Sequence, residues 1–509
     1  MKTIIRNACV LTMDENDSVL DRANILIDDD VIVAVAADAE FANPGEGVVR
    51  VIEGSGRLVM PGLVNAHFHS SVNHLKGSLA SLPLEVFMLY ESPALDAAAL
   101  SPRAAYVRTM LGALEMLKNG VTAVQDDAFF VPSPSPEIID AVMQAYADIG
   151  IRATLALDQP NVPELDKLPF LRDMLPSDLK AELAQPAPMD SEGLLACYAH
   201  LLGRWHGAAN GRLRAAVSCS APQRVTQDYF AALDALSRAH DLPFYVHMLE
   251  TKLQRVLGDE KFGGRSLVGY VHDLGMLSDR MNVIHAIWID RADIAMIAEA
   301  GAVVAHNPIS NLRLGSGIMP FRALRDSFVP ICLGTDEAIA DDAINMWLVA
   351  KLVGLIHNIT EPDYERWPNA TEVLDCLIRG GARAMQQQRR IGRLSPGFQA
   401  DLILLDLDTL PFTPLNDLKR QLVYCESGGS VRLTMVAGQV VVEDGRVATV
   451  DEAALRAEAR EYAKRFTGNQ SEVNCAAAAL SPYYRKMYLK AAGRDVGMNR
   501  WGGDAAAFP

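Results

Sequence analysis

The sequence predicts an α/β protein, a (β/α)8 TIM barrel joined to a discontinuous β-sandwich built from both chain ends. Three observations predict it. From about residue 59, eight short apolar strands alternate with helix-length amphipathic stretches. Histidine and acidic residues collect at the C-terminal ends of those strands, where such barrels carry their chemistry. Both chain ends read instead as strands separated by acidic or glycine turns.

Composition sets the class. A chain of 509 residues exceeds one compact core, so a large and a smaller domain are expected. Hydrophobic residues make up 50% and charged residues 22%, which fits a globular protein. A formal net charge of −16 argues against nucleic acid or an anionic membrane as partner. The start, Met1-Lys2-Thr3-Ile4-Ile5-Arg6-Asn7, lacks the basic-then-apolar pattern of a signal peptide, and no apolar window spans a membrane. Seven scattered cysteines without a C-x-x-C pair fit reduced thiols, so a cytoplasmic location is expected.

Residues 1–58 form the first part of the sandwich, with strands expected over 3–11, 23–27 and 31–35. The barrel occupies 59–388, with strands over 58–64, 121–125, 152–157, 213–218, 244–247, 282–285, 302–306 and 330–334. Helices are expected over 102–119, 137–149, 226–240 and 291–300, several of them stopped by Gly120, Gly150 or Gly301. Residues 389–450 return to strands, over 402–405, 422–425, 431–436 and 439–442, and complete the sandwich. The last part, 451–509, opens with a helix over 451–466 capped by Asp451. Its tail carries Tyr483, Tyr484, Tyr488 and Trp501, aromatics suited to docking on the body or on a second subunit.

The chemistry centres on Pro61-Gly62-Leu63-Val64-Asn65-Ala66-His67-Phe68-His69. Side chains at i and i+2 of a strand point the same way, so His67 and His69 project together. His247 ends the fifth strand and Asp336 the eighth, which completes an N3O set suited to zinc or another first-row divalent metal. Water on such a metal ionises near neutral pH. Glu250, just past His247, is placed to move protons as general base and then acid. His285 ends the sixth strand, where it can ligate the metal or hold the attacking water. Trp288, Asp127, Gln223 and Asn307 are candidates for substrate contact.

Taken in order, these stretches resemble the amidohydrolase superfamily, in the branch of nucleoside and base deaminases and triazine hydrolases. The match rests on the His67–His69 stretch, His247-Met248-Leu249-Glu250-Thr251, His285, Ala305-His306-Asn307-Pro308-Ile309-Ser310-Asn311-Leu312, Leu333-Gly334-Thr335-Asp336, and residues 391–401. The resemblance implies that His67, His69, His247 and Asp336 bind one metal, zinc first and iron second. It implies that Glu250 shuttles protons while His285 and Asp336 orient the hydroxide. The fourth-strand region, Ala215 to Pro222, has no lysine to bridge a second metal. Two departures touch the pocket: Ser220 stands where the deaminase branch often has histidine, and Glu337 where a small residue is usual.

The implied activity is aminohydrolysis of a small N-heterocyclic substrate by a homodimeric enzyme. Loss of another leaving group, such as chloride, alkylamine, amide or urea nitrogen, is the alternative. A non-catalytic binding or assembly relative is the remote one, and no metal ligand is missing to favour it.

Overall fold

The structure, a computed structural model, describes residues 2–37, 48–92 and 100–503. The barrel is assembled from two five-stranded parallel sheets. One runs Asp336–Glu337, Leu63–His69, Val121–Ala128, Arg152–Leu157, Leu213–Ala215; the other runs Val217–Ser218, Phe244–Met248, Met281–His285, Val303–His306, Ile331–Leu333. The expected fourth and eighth strands are each broken where these sheets meet. The Ala216 N–H still bonds Leu155 O at 2.8 Å, and the next, Val217 N–H, turns to Pro243 O at 2.9 Å on the other sheet. Past Gly334-Thr335 the eighth strand resumes as Asp336–Glu337, in register with Phe68 and His69. That break moves Asp336 beside the first strand.

Small and medium side chains fill the barrel interior, among them Val64, Ala66, Ala123, Ala156, Ala216, Ile284 and Ala305. A larger apolar layer lies between strands and outer helices. Gly150 and Gly301 end their helices in the left-handed region as expected, and Ser135 caps the start of the first of these by accepting from Ile138 N.

The expected strand over 58–64 is two elements. Arg57–Pro61 pairs antiparallel with Leu402–Asp406, and the chain enters the barrel only at Leu63. Gly62 makes the transfer possible, since a Cβ there would lie 2.1 Å from Thr122 Oγ1. Arg57–Pro61 thereby joins the N-terminal strands to the C-terminal ones in a nine-stranded mixed sheet among the described residues. Ile5, Val10, Ile25 and Val59 share one core with Leu402, Leu404, Leu433 and Met435, so the two chain ends bury each other's apolar faces.

Two expectations are corrected. Residues 422–425 are no strand: Leu418–Tyr424 is a helix, with Asp417 accepting from Arg420 N and Leu422 and Val423 turned inward. A short apolar run has no period of its own, and the cap decided the outcome. The last helix, capped by Asp451 as expected, runs on past residue 466 as Glu452–Ala492. No helix among the described residues is long and apolar enough to cross a membrane.

Candidate active site

The first strand carries a register irregularity between Asn65 and Phe68. Strict alternation would put residue 68 inside with Val64 and Ala66. The irregularity inverts it: Phe68 packs into the outer layer, and His67 and His69 turn to the barrel mouth. Backbone turning at the other strand ends is equally local. Ser220, Leu249, His285 and Asp336 all have positive φ, from +54° to +71°. Non-glycine residues adopt that conformation at a cost, and it clusters here around one point.

His67, His69 and His247 offer ligand atoms within 4.8 Å of one another, and so do His67, His285 and Asp336. Hydrogen bonds set the ring orientations. His69 Nδ1 bonds the Asp127 carbonyl, and His247 Nδ1 bonds the Ser220 carbonyl at 2.8 Å, which leaves each Nε2 to face the centre. His67 Nε2 is buried without a hydrogen bond. Asp336 Oδ1 lies 3.4 Å from both His67 Nε2 and His69 Nε2, and Ser310 Oγ donates to Oδ2 at 2.7 Å.

The electrostatics suit a cation. Burial holds His67 down at about 4 and His247 well below its ordinary value, which keeps both imidazoles neutral. Burial would raise Asp336, but the His67 and His69 imidazoles beside it hold its carboxyl well below the carboxylate range. Burial would lower His69, but Asp336, Asp127 and Asp158 carry it up to about 10. A carboxylate among three imidazoles calls for a positive charge between them. A divalent metal fits that demand, the orphaned His67 nitrogen and the N3O donor set alike.

Beside this cluster, Glu250 Oε2 lies 3.5 Å from His285 Nε2, and Ser316 Oγ donates to Oε1 at 3.3 Å. Burial pushes the Glu250 carboxyl up to about 7. His285 Nδ1 bonds Asn311 Oδ1 at 2.8 Å, which aims Nε2 at Glu250 and, at 3.9 Å, at Asp336 Oδ2. His69, His247, Glu250, His285 and Asp336 all line one cavity of about 360 Å³, room enough for a small ligand.

Of the four candidates for substrate contact, only Gln223 lines that cavity. Asp127 is fully buried behind His69 and His247, where Ser218 Oγ donates to it. Asn307 lies buried behind His285, its Nδ2 3.5 Å from His285 Nδ1. Trp288 is fully buried and donates to the Ser316 carbonyl at 2.8 Å.

Sequence reasoning missed part of the wall. Glu85 and Glu91 come from helix Leu84–Glu91, and Arg224 contacts Ser220 Oγ at 3.2 Å. Glu91 and Glu337 hydrogen-bond each other, and burial raises both carboxyls. Tyr484 of the last helix closes the far side. Glu337 was flagged by its departure from the family pattern; the others carry no motif or spacing that singles them out.

The amidohydrolase family's sequence model matches residues 58–441, three quarters of the chain and every residue of the metal cluster. The chain belongs to the amidohydrolase family. Among relatives of this amidohydrolase is a 5-methylthioadenosine/S-adenosylhomocysteine deaminase of Nitratidesulfovibrio vulgaris, 31% identical over 90% of the chain and 96% of the relative. A 5'-deoxyadenosine deaminase of Methanosarcina mazei is 29% identical over 91% and 98%. Among solved structures, an adenosine deaminase from Xanthomonas campestris with bound zinc superposes with a TM-score of 0.80 at 26% identity, over 92% and 98% of the two chains. An atrazine chlorohydrolase from Arthrobacter aurescens, also with zinc, gives 0.79 at 25% over 91% and 100%. This amidohydrolase is a hydrolase of carbon–nitrogen bonds with a metal site of histidines and an aspartate.

Proposed function

We propose that this amidohydrolase removes the 6-amino group of an adenine nucleoside altered at its 5' carbon. Water adds at the amino-bearing carbon, ammonia leaves, and a 6-oxo purine remains. The observation that carries this reading is Glu250, a buried carboxyl on the cavity, raised to about 7 and 3.5 Å from His285. A group so poised can both take and return a proton near neutral pH. The deaminases similar to this chain over nine tenths of its length support the purine.

His67, His69, His247 and Asp336 would hold one divalent ion, zinc first and iron second. When bound, the ion supplies Lewis acidity that makes water nucleophilic at neutral pH. His285 and Asp336 orient that water toward the ring. Glu250 accepts its proton and delivers it to the ring nitrogen beside the reacting carbon, and that nitrogen takes the electron pair of the ring C=N bond. The adduct's remaining hydroxyl proton then passes to the amino group, which leaves as ammonia as the C=O bond forms. Gln223 and the Glu91–Glu337 pair face the remainder of the substrate. A cytoplasmic location fits seven free cysteines, and the homodimer rests on the family resemblance.

Ammonia release from 5'-methylthioadenosine, S-adenosylhomocysteine and 5'-deoxyadenosine by the zinc-loaded protein, with Glu250→Gln beside it, tests the reading. Release that is lost in the variant supports it. No ammonia from any of the three, with zinc confirmed, discards the purine. The likeness to the atrazine chlorohydrolase then favours a second reading, chloride as leaving group, read as chloride release from a chlorotriazine.

A further inference from the structure

The chain beyond the last helix folds back over the barrel mouth. Lys252 Nζ donates to Ala492 O at 2.7 Å, Arg500 Nη2 to Ile289 O at 2.6 Å, and Ile318 N to Arg500 O at 2.8 Å. Trp501 Nε1 donates to Gly315 O at 3.0 Å, and its ring meets Trp288 edge-on with centroids 5.0 Å apart. Lys252 Nζ sits 5.2 Å over the Trp501 ring. The approach is close enough to dictate sequence. Gly317 has φ +127°, and a Cβ there would lie 2.8 Å from Arg500 O.

What Trp501 grips supports Glu250. Ser316, between Gly315, which Trp501 holds, and Gly317, against which Arg500 packs, donates its hydroxyl to Glu250 Oε1 and accepts at its carbonyl from Trp288 Nε1. Trp288 in turn donates its backbone N–H to Leu249 O at 2.8 Å, next to Glu250, at a residue with φ +54°. The carboxylate and the backbone of Glu250 therefore rest on the two pieces of structure that Trp501 clamps together. The strap also lies outside residues 58–441, so nothing in the matched family model accounts for it.

We propose that the segment Ala492 to Trp501 is a positioning element for Glu250, with Trp501 as its anchor. The proposal rests on the reading that Glu250 moves the proton. Removing the anchor lets Ser316 and Trp288 drift, and Glu250 spends less time in line with substrate. Zinc, held by residues the strap does not touch, stays bound.

The test uses the zinc-loaded full chain and ammonia release from 5'-deoxyadenosine. Trp501→Ala should lower kcat about tenfold, with KM within about twofold and zinc content unchanged. Trp501→Phe, which keeps a ring against Trp288, should recover most of it. Ser316→Ala removes one of the two supports and should lose part of that factor, and the double variant should fall short of the product of the two single losses, because the variants share the Ser316 contact. An unchanged kcat in Trp501→Ala overturns the proposal, and so do losses that multiply in the double variant. Glu250→Gln separates the two claims. Full activity in that variant refutes the proton role itself, whereas its inactivity beside a fully active Trp501→Ala refutes only the strap. A crystal structure of zinc-loaded Trp501→Ala needs no substrate. Loss of the Ser316–Glu250 hydrogen bond is expected, and its retention counts against the proposal.

Discussion

Two groups of buried histidines stand at the mouth of this barrel, and only one is built for a metal. His67, His69 and His247 surround Asp336, whose carboxylate calls for a cation. At the seventh strand, His306 Nε2 meets His357 Nε2 at 3.0 Å, and Phe321 stacks on His357 at 4.8 Å. There the neighbours that act on the rings are His285 and Arg322, and among the described residues no carboxylate acts on either ring. Burial drives His306 well below its ordinary value and His357 down to about 3, so the pair stays neutral and shares one N–H. Buried imidazoles alone make a polar contact; a carboxylate among them makes a cation site.

Removing the carboxylate should therefore erase the difference. Asp336→Ala is expected to lose its metal, read by elemental analysis, and to lower turnover by about a thousandfold or more. Full metal occupancy in that variant would mean the imidazoles suffice. Glu250→Gln cuts at a different place: metal stays, while kcat falls by about 10²- to 10⁴-fold, the usual share of a general acid–base. Chelation should act on one cluster only. An ion present at about a hundred times its Kd stabilises the fold by about 2.7 kcal/mol. Stripping it should lower the melting temperature of the parent chain, and leave that of metal-free Asp336→Ala where it was.

How much of this was legible in the sequence follows from what each signal encodes. Strand–helix alternation and the His-x-His spacing are local, and they located the barrel, its functional end and the residues that converge there. The irregularity at Asn65–Phe68 was hidden, because alternation is visible in sequence and its interruption is a matter of pairing with the neighbouring strand. For a related reason Trp288, expected as a candidate for substrate contact, does not line the cavity. A position just past a strand end faces the mouth, but depth there depends on which loop covers it, and Ser316 and Trp501 cover Trp288. Helix Leu418–Tyr424 shows the limit of short apolar runs, whose period a few residues cannot express.

The smallest expected effect tests the uncharged pair. His306 and His357 have folded pKa values below their unfolded ones, so below about pH 6.5 the unfolded chain takes up protons that the folded chain refuses. Their contribution is fully present above that pH and is lost as the pH falls toward about 3, where His357 protonates in place. The slope is about 1.4 kcal/mol per histidine for each pH unit in that window. Replacing both rings together, His306→Leu with His357→Phe, leaves no widowed buried donor, which a single replacement would. The double variant should match the parent near pH 8 within about 1.5 kcal/mol, since the swaps roughly conserve apolar volume. Its stability should then fall less steeply than the parent's from about pH 6.5 to about pH 4.5, read by chemical denaturation at each pH, with zinc content unchanged at about pH 8. Parallel slopes would mean that the pair is already open to protons in the folded state, and that its burial does not distinguish it from an exposed histidine. Loss of zinc would mean that the two clusters are coupled through His285, which belongs to the first cluster and also acts on His306.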